Sequence, residues 1–247
     1  MGLSVDLNCD MGEGCGNDAA LMDYVSSVNI ACGFHAGDVD TMRRTVETAL
    51  EKGLAIGAHP GYRDRENFGR TSMNLPLNEV YDIVTEQINI LRQICSNEGA
   101  ALHHVKPHGA LYNQAVRDAG LARTIAESVR DVDSNLVYFG LSGSVMIDEG
   151  EKGGLRTASE VFADRTYQND GSLTPRSEPN ALISGTNKAM RQVLDMLKYG
   201  CVRSTGGIMV AIKADTVCIH GDGPHPLEFA RAIYANLIDN DIAIKAT

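Results

Sequence analysis

Six stretches of this 247-residue sequence crowd acidic, imidazole and cationic side chains beside glycine or proline. DLNCDMGEG carries Asp6, Asn8, Asp10 and Glu13, and GFHAGD carries His35 and Asp38. AHPGYRD carries His59, Arg63 and Asp64, and HVKPHGALYN carries His104, Lys106, His108 and Asn113. SEVFADRTY holds Glu160, Asp164 and Arg165, and CIHGDGPH holds His220, Asp222 and His225. Aspartates and histidines drawn from several segments are the ingredients of a divalent-metal site of the Asp/His/His kind. His104 and His108 have H-x-x-x-H spacing but stand at a strand end and not on a helix, and there is no H-E-x-x-H, so such a site has to be assembled across segments. Without a metal, paired carboxylates near Lys106 or a histidine serve as general base and acid on a polar substrate. Arg63, Arg70 and Arg165 can clamp a carboxylate or a phosphate through paired N–H donors.

Each residue alone has a plainer reading. A single histidine at a strand end is commonly a hydrogen-bonded structural group, and Asp38 and Asp222 equally suit helix caps. His103 and His225 have no clear rim position and read as structural. What favours an active site is the shared position, because each stretch follows a strand-like run. Those runs are Val5–Cys9, Ser27–Gly33, Leu54–Ala58, Leu102–Lys106, Leu136–Gly140, Leu155–Val161, Ile208–Lys213 and Val217–His220. The last two are so close that a hairpin is expected between them. Helices with readable ends lie between the runs. One is capped by Asp38, with Met42, Val46, Ala49 and Leu50 inward, and stops at Gly53. Another opens at Pro76, turns Val80, Ile83, Val84, Ile88, Leu91 and Ile94 inward, and stops at Gly99. A third carries Met190, Val193, Leu194 and Leu197 up to Gly200, and the last carries Phe229, Ala230, Ile233 and Leu237.

This alternation predicts an α/β fold, a single domain over residues 1–247, with a parallel sheet and helices outside it. About seven β/α units favour a closed barrel, in which all the polar strand ends meet on one rim. The segment from Arg165 to Asn180 has no periodicity, and a loop of that length is usually functional.

Composition excludes other classes. The formal charge of −10 leaves no basic stripe for nucleic acid. No apolar run suits a membrane span, and the first residues lack the pattern of a secretory signal. The six cysteines form no C-x-x-C pair and read as reduced thiols in a cytoplasmic protein, with Cys9, Cys15 and Cys32 as small packing residues. GEGCGN fails the dinucleotide-loop spacing because Asn17 stands where a glycine is needed, and there is no Gly-Lys pair for a P-loop. The G-x-S-x-G nucleophile elbow of serine hydrolases is also missing.

DLNCDMGEG, NIACGFHAGD, GAHPGYRD, FGRT, HVKPHGALYN, SEVFADRTY, DGSLTPR and CIHGD, in this order, resemble the LamB/YcsF family over residues 5 to about 240. The resemblance implies an irregular (β/α)7 barrel related to glycoside hydrolases and deacetylases. It implies ATP-dependent opening of 5-oxoproline to L-glutamate together with two partners, the 5-oxoprolinase subunits B and C. ATP would then be bound at least partly by those partners, and a homo-oligomer is compatible. Under this reading Asp10, Glu13, Lys106 and His108 are catalytic, and Asn8, His35, Arg63, Arg70, Asn113 and Arg165 bind substrate. By analogy with the deacetylase barrels, Asp10, His59 and His108 would hold a divalent metal. Two alternatives are an autonomous metal-dependent deacetylase or carbohydrate hydrolase, and a noncatalytic lactam-binding subunit.

Overall fold

The structure, a computed structural model, describes residues 2–183, 185–220 and 225–247. Asp222 lies outside the described residues. Among those described, the strands are β1 Ser4–Met11, β2 Ser27–Ala31, β3 Ala55–His59, β4 Leu102–Val105, β5 Val137–Leu141, β6 Arg156–Phe162, β7 Cys201–Arg203, β8 Met209–Ala211, β9 Thr216–Ile219 and β10 Ala243–Ile244. The helices are α1 Asp18–Leu21, α2 Val39–Glu51, α3 Leu77–Asn97, α4 Gly109–Ala115, α5 Ala119–Val132, α6 Val145–Lys152, α7 Thr186–Tyr199 and α8 Pro226–Asp239.

Strands β1 to β6 run parallel in chain order, and β9 pairs in parallel with both β6 and β1. Seven strands therefore close on themselves, as the β/α alternation predicts. The expected hairpin does not form. β8 pairs antiparallel with β7 in a separate two-stranded ribbon, and the short link to β9 only carries the chain back into the barrel. β10 pairs with the first residues of β1, outside the closure.

Side chains alternate in and out along each strand, and here the two sides differ sharply. Leu7, Cys9 and Met11 of β1 face the helices and join one large apolar layer with Val46, Val84, Ile88, Leu91, Ile125, Val129, Val193 and Ile233. Asp6, Asn8 and Asp10 face the barrel interior, where the apolar filling is a small separate cluster of Val137, Phe139 and Ala158. The predicted helix ends hold: the Asp38 carboxylate accepts from Thr41 N–H, and α3 buries all six expected residues. Leu50 is a correction. It stays 44% exposed, because Met42, Thr45, Val46 and Ala49 already complete the inward stripe of α2.

Candidate active site

The barrel interior is built in polar layers. At the end where the strands begin, the Asp6 carboxylate accepts from Ser26 and Ser27 Oγ, both at 2.6 Å, and from Thr216 Oγ1 at 2.5 Å. One layer up, Asn8 donates to Glu160 Oε1 at 3.1 Å and Thr216 Oγ1 at 2.7 Å. Its carbonyl oxygen accepts from Asn29 at 2.8 Å and from Lys106 Nζ at 3.2 Å. Those four bonds use the whole capacity of the amide. Asn8 is therefore a floor support, fully buried, and not the substrate contact expected from sequence.

His104 reaches into the same layer, with Nε2 2.8 Å from Asn29 Oδ1. Its ring fits only because β3 carries a glycine: a Cβ on Gly57 would lie 2.1 Å from His104 Nε2. The resulting chain orients Asn29 so that its NH2 also donates to Asp10 Oδ1 at 2.8 Å.

Lys106, 3% exposed, is the centre of the upper layer. Its Nζ lies 2.9 Å from both Asp10 Oδ1 and Glu160 Oε1, and 3.1 Å from Cys218 Sγ. Burial alone would depress an ammonium pKa, but Asp10, Cys218 and Glu160 outweigh it and hold Lys106 well above the ordinary lysine range. Burial pushes Asp10 up as well, and His59 and Lys106 more than reverse this, leaving it well below the usual carboxylate range. Both groups are thus charged at neutral pH.

Above them lie Glu13, His35, His59 and His108. His59 Nδ1 is 2.7 Å from the Lys106 carbonyl oxygen, and His108 Nε2 is 2.8 Å from that of Phe68. Only N–H groups satisfy those carbonyls, so neutral rings turn the lone pairs of His59 Nε2 and His108 Nδ1 toward each other, 2.9 Å apart. Glu13 Oε1 is 3.2 Å from His108 Nδ1 and from His35 Nε2. Two facing lone pairs repel unless a proton or a cation lies between them. Without a metal the proton sits on His59: burial opposes it, but Asp10, 3.4 Å from His59 Nε2, raises the pKa of the ring. Burial lowers His108, and lowers His35 to about 4. Glu13, despite burial, is drawn down to about 2 by the neighbouring His108 and His35 rings.

The local backbone fixes this cluster. Phe68 has φ 57, a left-handed conformation that is costly for a bulky residue, and it aims the carbonyl at His108. His35 stacks on His108 with ring centroids 3.7 Å apart. A Cβ on Gly69 would fall 2.8 Å from His35 Cβ, so the loop can lie against the stack only with glycine there.

His59 and His108, two of the three metal ligands expected from sequence, are oriented as ligands; Asp10 Oδ2 lies 3.4 Å from His59 Nε2, while the carboxylate that clusters with both rings is that of Glu13. Asp10 is held by Lys106 and Asn29 through Oδ1 and groups instead with Cys218 and His220. Among the described residues, His35 Nδ1 is buried without a hydrogen-bond partner, and its Nε2 serves Glu13 as a donor.

These groups form the floor of a cavity of about 530 Å³. Asp10, Glu13, His59, Lys106 and His108 line it, as do Arg70, Asn113 and Arg165. His35 is screened behind His108 and touches the cavity only through its neighbours. Arg63 is a correction: its guanidinium points outward, bonds Glu86 of α3 at 2.6 Å and covers the Phe34 ring. The aperiodic segment after Arg165 forms one wall through Ser172, Leu173, Thr174, Pro175, Arg176 and Ser177.

His220, Asp164, Glu160 and Tyr112 join the site although the sequence did not single them out for a role. His220 Nδ1 lies 2.8 and 2.9 Å from the two oxygens of Asp164, which leaves the other ring nitrogen for the cavity that His220 lines. Burial raises Asp164, but His220 and the neighbouring arginines outweigh it and keep it ionised. The Tyr112 hydroxyl is buried beside Glu160, and burial together with that carboxylate pushes its pKa well up. SEVFADRTY and CIHGD showed the same strand-end pattern as the chosen residues, and that signal could have included them.

The sequence profile of the LamB/YcsF family matches residues 5–247. A protein of Bordetella parapertussis, named as the A subunit of 5-oxoprolinase, is 54% identical over 251 residues, spanning 100% of both chains. The crystal structure of the lactam utilization protein from Thermus thermophilus superposes with a TM-score of 0.93 at 42% identity, covering 99% of this chain and 100% of that one. The peptidoglycan deacetylase PdaC of Bacillus subtilis shares the fold alone, with a TM-score of 0.50 and 12% identity over 99% of this chain and 87% of its own.

Proposed function

The chain belongs to the LamB/YcsF family, and we propose that it is the A subunit of a 5-oxoprolinase, opening the 5-oxoproline lactam to L-glutamate. The observation that supports this best is the charged Lys106, flanked by Asp10 and Glu160, on the floor of a cavity lined by arginines. Lactam hydrolysis builds negative charge on the carbonyl oxygen and needs a proton delivered to the departing nitrogen. A buried ammonium stabilises the first without reorganising at the moment of reaction. The second falls to His220, backed by Asp164. Of the bases that the sequence left open, Asp10 or a histidine, a carboxylate held well below its usual range is the poorer proton acceptor, which favours His220. Asp10 then keeps Lys106 charged and His59 oriented.

Glu13, His59 and His108 would hold a divalent cation. The donor set of two imidazoles and a carboxylate suits zinc and similar ions, and both rings are braced by carbonyls. When bound, such an ion would polarise the carbonyl and lower the pKa of water.

A five-membered lactam re-closes readily, which is the physical reason for coupling to ATP. Partner subunits B and C would supply the nucleotide chemistry, because this chain has no phosphate-binding loop. The test is reconstitution. This chain with the two partners, ATP and 5-oxoproline should release glutamate, and the omission of any one should abolish it. Folded subunits that yield no glutamate, or turnover of acetylated sugars by this chain alone, would overturn the reading.

A further inference from the structure

Two buried cations line the cavity, and they are treated very differently. Lys106 has two carboxylates within 2.9 Å. Arg165 is only 5% exposed and forms no ion pair among the described residues. One guanidinium nitrogen, Nη2, donates to the Thr174 carbonyl at 2.6 Å, while Nε is buried with no hydrogen-bond partner among the described residues. The adjacent Asp164 attracts it without a direct contact, because both its oxygens face His220.

Arg165 is also held rigidly. Its carbonyl accepts from Gln192 Nε2 at 2.9 Å, and the next amide, Thr166 N–H, bonds the Ala181 carbonyl at 3.0 Å. A buried charge with an unused donor is costly and persists where something outside the protein completes it. Burial and the nearby Arg176 even pull this guanidinium down to about 10, the opposite of what a structural ion pair would do.

We propose that the Arg165 guanidinium is an oxyanion subsite that takes the anionic end of the ligand in the cavity it lines. This rests on the proposed function only for the identity of that ligand. The reacting carbonyl would then lie toward Lys106 and the histidines, so the two cations divide the cavity into a reaction end and an anchoring end. A carboxylate and a phosphoryl group present the same oxygen acceptors here, and the experiment separates them.

The test uses the purified full-length chain without ATP or partners, so its outcome is independent of glutamate formation. Inorganic phosphate and 5-oxoproline are titrated separately by calorimetry into wild type, Arg165→Gln, Arg165→Lys and the surface control Arg63→Gln. Wild type and Arg63→Gln should bind alike. Arg165→Gln should bind about ten- to hundredfold more weakly, as expected for loss of a charge-assisted hydrogen bond. Arg165→Lys keeps the charge without the planar, multi-donor guanidinium and should fall between. Binding of phosphate identifies a phosphoryl site, binding of 5-oxoproline alone a carboxylate site, and mutual competition one shared by both. If circular dichroism shows Arg165→Gln unfolded, Arg165→Lys decides. Wild-type affinity in a folded Arg165 variant, or no binding of either anion to wild type at millimolar concentration, overturns the proposal.

Discussion

Asp6 and Asp10 stand on the same strand, on the same face, one above the other in the barrel interior, yet they are electrically opposite. Asp6 is met only by hydroxyl groups, and burial outweighs their hydrogen bonds to raise its pKa. Asp10 faces an ammonium and an imidazole, which overcome burial and hold it ionised. The chemistry of the two layers therefore comes from what neighbouring strands contribute at each level. Ser27 and Thr216 surround the lower carboxylate, and Lys106 and His59 surround the upper one. The lower layer is built like a core that happens to be polar. The upper layer stores charge beside a cavity, which is the arrangement reaction sites use.

The most severe way to break this contrast is Lys106→Met. It leaves Asp10 and Glu160 buried without their cation, so denaturant unfolding at pH 7 should show a loss of about 3–5 kcal/mol. Glutamate formation in the reconstituted system should vanish. His220→Ala probes the upper layer while leaving the Lys106, Asp10 and Glu160 cluster in place. Turnover should fall about 10²- to 10⁴-fold, the range for removal of a general acid–base group, with a smaller loss of stability than in Lys106→Met, since Asp164 loses its imidazole partner.

Two further variants test the sign of the electrostatics. Glu13 is depressed from 4.5 to about 2, so the stability it contributes is complete above pH 4.5 and is lost as pH falls toward about 2. In Glu13→Gln the acid limb of a stability–pH curve should be shallower across that window. Asp6 is raised, so its contribution is complete below its unfolded value of 3.8 and is lost as pH rises through its folded pKa. Asp6→Asn should therefore gain on wild type as pH rises from acid to neutral. The total change should stay within about 1 kcal/mol, since an amide can keep most of the hydroxyl partners.

The barrel was legible in the sequence because each β/α unit announces itself through strand alternation, a turn and a helix cap. The β7–β8 ribbon was not, because three-residue strands have no readable period and the run through Met209 is equally apolar beside either neighbour. Within the site, Asp10, Glu13, Lys106, His59 and His108 were visible as polar residues after strands. Their partners were harder to see. Asn8 and Arg63 have the right types and positions, yet the first spends all its hydrogen bonds inside the barrel and the second turns outward to Glu86. Which way a loop side chain turns depends on a partner from another unit, as Glu86 does for Arg63 and Asp164 for His220. Periodicity carries no information about such pairs.

The claim that charge in the upper layer drives the reaction is tested most directly by glutamate release from two isosteric variants, Asp10→Asn and Asp6→Asn, under the same reconstitution conditions. Asp10→Asn should lower turnover at least about a hundredfold, of the order found when one preorganised electrostatic group is removed, while Asp6→Asn stays within about twofold of wild type. Equal turnover in the two variants, both folded, would contradict it.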